Sequence, residues 1–213
     1  MSVQAYIEKH KVIAICRRVY GEDLLRLAQA LCEGGVKLIE VTFDQSDPKC
    51  LEKTTGSMQM LREHLGDAIR FGAGTVLTPG QAEAAYRAGG EYIISPNTDP
   101  EVIAKTKELG MVSIPGAMTP TEILTAHKCG ADFVKLFPAS DLGLSYMKAI
   151  SAPISHVKLL ATGGVTEKNF AEYLRAGFMG AGVSGRLCDR KLIAEGNFRE
   201  ITRRAMEFAQ LCE

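Results

Sequence analysis

The sequence predicts an α/β fold: a single-domain (β/α)8 TIM barrel over residues 1–213, with an eight-stranded parallel barrel inside a ring of helices. Three observations carry this reading. Eight short apolar runs, at 12–16, 37–43, 69–75, 92–95, 112–115, 132–137, 158–162 and 179–184, alternate with stretches of helical periodicity. A helix-ending phrase recurs ahead of strands, as Cys32-Glu33-Gly34-Gly35-Val36, Tyr86-Arg87-Ala88-Gly89-Gly90, His127-Lys128-Cys129-Gly130-Ala131 and Leu174-Arg175-Ala176-Gly177-Phe178. No Pro/Gly/Ser-rich linker or low-complexity block divides the chain. The length is slightly short for this fold, so the loops must be tight.

The first run, Val12-Ile13-Ala14-Ile15-Cys16, has the continuous apolar character of a buried strand. Cys16-Arg17-Arg18-Val19-Tyr20-Gly21 after it lacks the GxGxxG pattern of the competing doubly wound open sheet. Leu24, Leu27, Ala28 and Leu31 then share one helical face. The second run alternates. With Ile39, Val41 and Phe43 packed under the helices, Leu38, Glu40 and Thr42 point into the barrel. The third ends in Gly72-Ala73-Gly74-Thr75, which brings the Thr75 hydroxyl to the barrel mouth or caps a tight turn. Thr78-Pro79, Asp99-Pro100 and Thr119-Pro120 each start a helix with a capping side chain and a proline in the first turn. The sixth run sends Val134 and Leu136 outward and Phe133, Lys135 and Phe137 inward. Glycine turns follow the seventh and eighth runs, in Thr162-Gly163-Gly164-Val165-Thr166 and Gly182-Val183-Ser184-Gly185.

Composition excludes several classes. Zero net charge without a basic cluster leaves no nucleic-acid footprint. No apolar run reaches membrane-spanning length, and the first ten residues lack the apolar stretch of a signal peptide. The six cysteines form no CxxC pair and read as free thiols of a cytoplasmic protein. His10, His64, His127 and His156 are scattered and make no metal spacing, so no metal is expected.

The chemistry centres on Lys135. Lysine is almost never fully buried unless paired or used. Burial penalises its charged form, and a neutral amine can condense with a ketone. Bringing a lysine from about 10.4 to about 7–8 costs about 4 kcal/mol. Two readings stand side by side: a Schiff-base lysine, or an ammonium that snorkels or sits in an ion pair. Glu40 shares the barrel interior, as an acid–base partner to Lys135 or as its structural counter-ion. A carboxylate there favours the ammonium, so desolvation or another cation must outweigh it, unless Glu40 is itself partly protonated. The two glycine turns let backbone N–H groups approach an anion, at the strand ends where barrels bind phosphate, with helix N-termini adding to the field.

These segments together resemble the 2-keto-3-deoxy-6-phosphogluconate / 4-hydroxy-2-oxoglutarate aldolase family. The resemblance lies in Gly35-Val36-Lys37-Leu38-Ile39-Glu40-Val41-Thr42, Gly72-Ala73-Gly74-Thr75-Val76-Leu77, Ser95-Pro96-Asn97, Pro115-Gly116-Ala117-Met118-Thr119-Pro120-Thr121-Glu122, Phe133-Val134-Lys135-Leu136-Phe137-Pro138-Ala139 and Thr162-Gly163-Gly164-Val165. It implies a cofactor-free and metal-free class I pyruvate aldolase, usually a homotrimer, acting on a small phosphorylated keto acid. By the same resemblance Lys135 forms the Schiff base and Glu40 is the general acid/base. Thr75 holds the pyruvyl portion, Pro96 and Phe137 line its pocket, and Gly163, Gly164 and Ser184 surround the phosphate. Some members carry a carboxylate-binding arginine where this chain has Asp44. Arg17 is the candidate replacement, unless it pairs with Asp44 or Asp47. The expected reaction is cleavage of 2-keto-3-deoxy-6-phosphogluconate to pyruvate and glyceraldehyde 3-phosphate, and of 4-hydroxy-2-oxoglutarate to pyruvate and glyoxylate. The alternatives are the galactonate epimer, a phosphate-binding barrel isomerase or epimerase without a Schiff base, and a non-catalytic sugar-phosphate binder.

Overall fold

The computed structural model describes residues 1–212. Its strands are β1 (Val12–Cys16), β2 (Leu38–Thr42), β3 (Arg70–Gly74), β4 (Tyr92–Ile94), β5 (Val112–Ile114), β6 (Gly116–Ala117), β7 (Val134–Leu136), β8 (Leu159–Thr162) and β9 (Gly180–Val183). All pair in parallel, in the order β5-β4-β3-β2-β1-β9-β8-β7-β6. The first and last members of that order are consecutive in sequence, so the sheet closes on itself through residues 112–117. This is the (β/α)8 barrel, with one difference from expectation. The fifth run pairs only as far as Ile114, and a further short strand, Gly116–Ala117, follows beyond it, because Pro115 has no N–H to give to the ladder. Closure relies on carbonyls: Ser113, Pro115 and Ala117 accept from the amides of Phe133, Lys135 and Phe137 at 3.2, 2.9 and 3.1 Å. Several strands are also a residue or two shorter than the apolar runs, since the outer residues of a run turn into loops before pairing.

The helices are α1 (Val3–His10), α2 (Gly21–Glu33), α3 (Cys50–Leu65), α4 (Pro79–Arg87), α5 (Pro100–Glu108), α6 (Pro120–Lys128), α7 (Ala139–Ser151), α8 (Phe170–Arg175), α9 (Arg190–Ala194) and α10 (Phe198–Gln210). Thr78, Asp99 and Thr119 cap α4, α5 and α6 through their side chains, each with proline in the first turn. Glu122 completes a capping box on α6. Of the expected face of α2, Leu24, Leu27, Ala28 and Leu31 are all buried. Among the described residues no helix is long and apolar enough to cross a membrane.

Two apolar clusters divide the core. The larger lies between barrel and helices and contains Ile39, Val41, Phe43, Val134 and Leu136. The smaller fills the barrel interior with Ile13, Leu38, Tyr92, Ile94, Phe133 and Leu160, plugged by Ile7 of α1. The predicted alternation of β2 and β7 therefore holds, and it leaves Glu40 and Lys135 on interior positions.

Candidate active site

β7 carries Lys135 into the interior, flanked in sequence by Val134 and Leu136, which pack on the opposite face under the helices. Only 7% of the residue is exposed. Among the described residues it forms no ion pair. Burial holds the amine below the ordinary lysine value; the Glu40 charge pulls it back up, and Arg17 lowers it again. Its Nζ lies 5.1 Å from the centre of the Phe137 ring.

Glu40 sits on β2 with 2% exposure. Its space exists because residue 74 has no side chain: a Cβ built on Gly74 would overlap the Glu40 carboxylate. Burial raises the Glu40 carboxyl above the usual range, against the lowering effects of Lys135 and Arg17. Each of Glu40 and Lys135 feels the other's charge, yet no direct hydrogen bond joins them. Their proton affinities are pushed toward one another, which is what transfer of a proton across the site requires. Desolvation is thus the dominant cause on both groups, which answers how the amine overcomes a nearby carboxylate.

Arg17 follows β1, is exposed, and forms no ion pair among the described residues. The carboxylates that would neutralise it are occupied. Arg18 takes Asp44 at 2.6 Å, and Lys53 takes Asp47 at 2.6 Å. The hydrogen bond from Arg18, followed by that from Ser46, holds the Asp44 carboxyl at about 2. The arginine that meets Asp44 is therefore residue 18 and not residue 17.

A cavity of about 450 Å³ opens beside Lys135. Six of the residues expected at the site line it: Arg17, Lys135, Phe137, Gly163, Gly164 and Ser184. Glu40 stands behind this lining and acts on it through charge. Thr75 and Pro96 follow β3 and β4 at the same end of the barrel but do not line the cavity. Thr75 sits just past its strand in the left-handed region at φ 54°, and its carbonyl accepts from Gln45 Nε2 at 2.7 Å. Ser184 is exposed and donates to the Ile15 carbonyl at 3.3 Å.

At the far side of the cavity Gly163 and Gly164 both take positive φ, 96° and 70°, which a side chain resists. A Cβ on Gly164 would also strike Ser140. Asn169 fixes this loop, accepting from the Thr166 amide at 2.7 Å and donating to the Gly164 carbonyl at 3.0 Å. Helix N-termini do not supply the field expected there: α8 begins only at Phe170 and α9 at Arg190, and both are short. The lining also includes Thr162, Thr166, Gly182 and Arg186, which the sequence reading did not select. The first three lie inside the glycine segments already singled out. Arg186 follows directly on one of them, and a cation at that place was the available signal.

The family model for KDPG and KHG aldolases matches residues 3–204 of this chain. The chain belongs to the KDPG and KHG aldolase family. It is similar to the 2-dehydro-3-deoxy-6-phosphogalactonate aldolase of Escherichia coli (strain K12), with 35% identity over 84% of this chain and 85% of that one. It is likewise similar to the 2-dehydro-3-deoxy-phosphogluconate aldolase of Treponema pallidum (strain Nichols), with 33% identity over 96% of this chain and 95% of that one. Among solved structures it resembles the KDPG aldolase of Legionella pneumophila with pyruvate captured as a covalent carbinolamine. That match has a TM-score of 0.85 and 30% identity over 97% of both chains. The protein is accordingly an aldolase, a carbon–carbon lyase. Membership sets aside the isomerase and the non-catalytic binder. In this aldolase the two groups that alternation placed inside the barrel, Lys135 and Glu40, are the buried ionisable pair beside the cavity.

Proposed function

We propose that this aldolase cleaves 2-keto-3-deoxy-6-phosphogluconate to pyruvate and glyceraldehyde 3-phosphate through a Schiff base on Lys135, and accepts 4-hydroxy-2-oxoglutarate by the same chemistry. The observation that supports it best is a buried lysine, free of any ion pair, beside a carboxylate and a cavity that ends in two glycine turns. The Lys135 amine attacks C2 of the keto acid to give a carbinolamine, which loses water to form the iminium. Glu40, through a water, removes the C4 hydroxyl proton. The C3–C4 bond breaks, its electron pair passes into the iminium as an enamine, and the aldehyde departs. Glu40 returns a proton to C3, and hydrolysis of the resulting iminium frees pyruvate. Arg17 binds the substrate carboxylate as a planar fork. Thr75 and Pro96, on the pyruvyl side, act from the rim, and Phe137 packs against the keto acid. Gly163, Gly164 and Ser184 receive the phosphate. The enzyme works without a cofactor, as a cytoplasmic homotrimer.

Borohydride with pyruvate tests the covalent step. One reduced pyruvyl adduct on Lys135, found by peptide mass, is expected, along with none in Lys135→Met. Wild-type protein that stays unmodified defeats the assignment. A second reading, the galactonate epimer, is favoured by the 35% identity to an aldolase of that name. Steady-state kinetics on the two phosphorylated epimers, repeated with Arg17→Ala, decide between them.

A further inference from the structure

We propose that Arg186 is the cation that grips the substrate's phosphate, and that Glu167 aims and tempers it. The inference rests on the phosphorylated substrate proposed above. A phosphate dianion at the glycine turns meets backbone N–H groups, but the helices behind those turns start too late to add charge. Arg17 and Lys135 are committed to the keto-acid end. Arg186 is the further cation on the cavity lining, and it comes from the loop that already carries Ser184 and Gly185.

Its guanidinium is held side-on. Nε donates to Glu167 Oε2 at 2.9 Å and Nη2 to Oε1 at 2.7 Å. That fork uses one edge and leaves Nη1 without a hydrogen bond among the described residues. Glu167 lies on the loop after β8, so the pair links the two glycine turns to each other. The backbone is fixed as well. The Arg186 carbonyl accepts from Arg204 Nη1 at 3.3 Å, and Arg204 is anchored by Asp189 at 3.2 Å and Glu200 at 3.0 Å. A planar cation with one edge spoken for and one open, clamped beside two turns of free amides, is built to take a phosphate oxygen. The carboxylate on its other edge moderates the attraction, so product can leave.

The test uses Arg186→Gln and Glu167→Gln, each able to keep a neutral hydrogen bond between the loops. Two readouts are taken: the ratio of kcat/KM for the phosphorylated keto acid over 4-hydroxy-2-oxoglutarate, and inhibition of hydroxyoxoglutarate cleavage by inorganic phosphate. Arg186→Gln is expected to lower the ratio about ten- to a hundredfold, the effect of losing one hydrogen bond to a charged group, and to weaken phosphate inhibition in step. Glu167→Gln is expected to strengthen phosphate inhibition. A strut with no ligand contact would make both variants move both substrates alike; that outcome, an unchanged ratio, or a wild-type enzyme indifferent to phosphate overturns the inference. Absence of turnover on every phosphorylated epimer would instead defeat the substrate reading, and phosphate inhibition of hydroxyoxoglutarate cleavage would still judge Arg186.

Discussion

At the scale of single residues, three charges set one another. In the proposed mechanism Lys135 attacks only as the neutral amine, so activity is expected to rise with pH through its depressed value and to fall on the acid side. Glu40 favours the ammonium and Arg17 disfavours it. The signs for the variants are therefore opposite. In Arg17→Ala the ammonium loses a repelling neighbour, its pKa rises, and the acid limb of kcat/KM moves to higher pH. In Glu40→Gln the ammonium loses an attracting neighbour, its pKa falls, and the limb moves to lower pH, while kcat drops about 10²- to 10⁴-fold with loss of the acid–base group. Full pH profiles of both variants check this, and limbs that move in the same direction would break the scheme. Interior residues were legible because strand alternation is strict and the apolar partners on the far face are unmistakable, as with Ile39 and Val41 around Glu40. Arg17 and Arg18 were harder to tell apart. They lie past the end of β1, and Arg18 takes positive φ at 57°, so alternation no longer says where either side chain goes.

At the scale of elements, β2 and β3 make the acid's niche together. Their register sets Glu40 opposite Gly72 and Thr42 opposite Gly74, and the missing side chain at 74 is the room the carboxylate occupies. Gly74→Ala should displace the carboxylate and reduce kcat about a hundredfold, near the low end of what a general acid/base contributes. The borohydride adduct with pyruvate should persist, since Lys135 stands on another strand. Loss of the adduct along with turnover would mean that the barrel itself was disturbed. Caps and turns announced α4, α5 and α6 in the sequence because proline and the capping threonine or aspartate act locally. The late starts of α8 and α9 were not announced. Their loops are shaped by contacts such as Asn169 with Gly164 and Arg186 with Glu167, between residues that no periodic pattern links. For the same reason Arg186 escaped notice although the glycines before it did not.

At the scale of the whole molecule, the ring of helices is completed where the chain's last helix meets its second. A Cβ on Gly34, at the end of α2, would run into Ala205 and the Thr202 carbonyl of α10. Gly34 has φ −77°, so alanine would suffer no backbone strain there and the whole cost is steric. Gly34→Ala should destabilise by about 1–3 kcal/mol, the usual cost of overpacking, read as a lower urea midpoint with unchanged kcat in the folded enzyme. A midpoint equal to wild type would show that α10 yields freely. The inner plug of Ile7 and the closing of the sheet through residues 112–117 depend on contacts between distant segments. Only the count and order of units, not these joins, can be read along the chain. The join at Pro115 has one more effect. Like a cask with a stave pegged from one side, the cylinder lacks a rung there, and the neighbouring stave is the one that bears the reactive amine. One rung fewer therefore ties the stave that carries Lys135 to its neighbour.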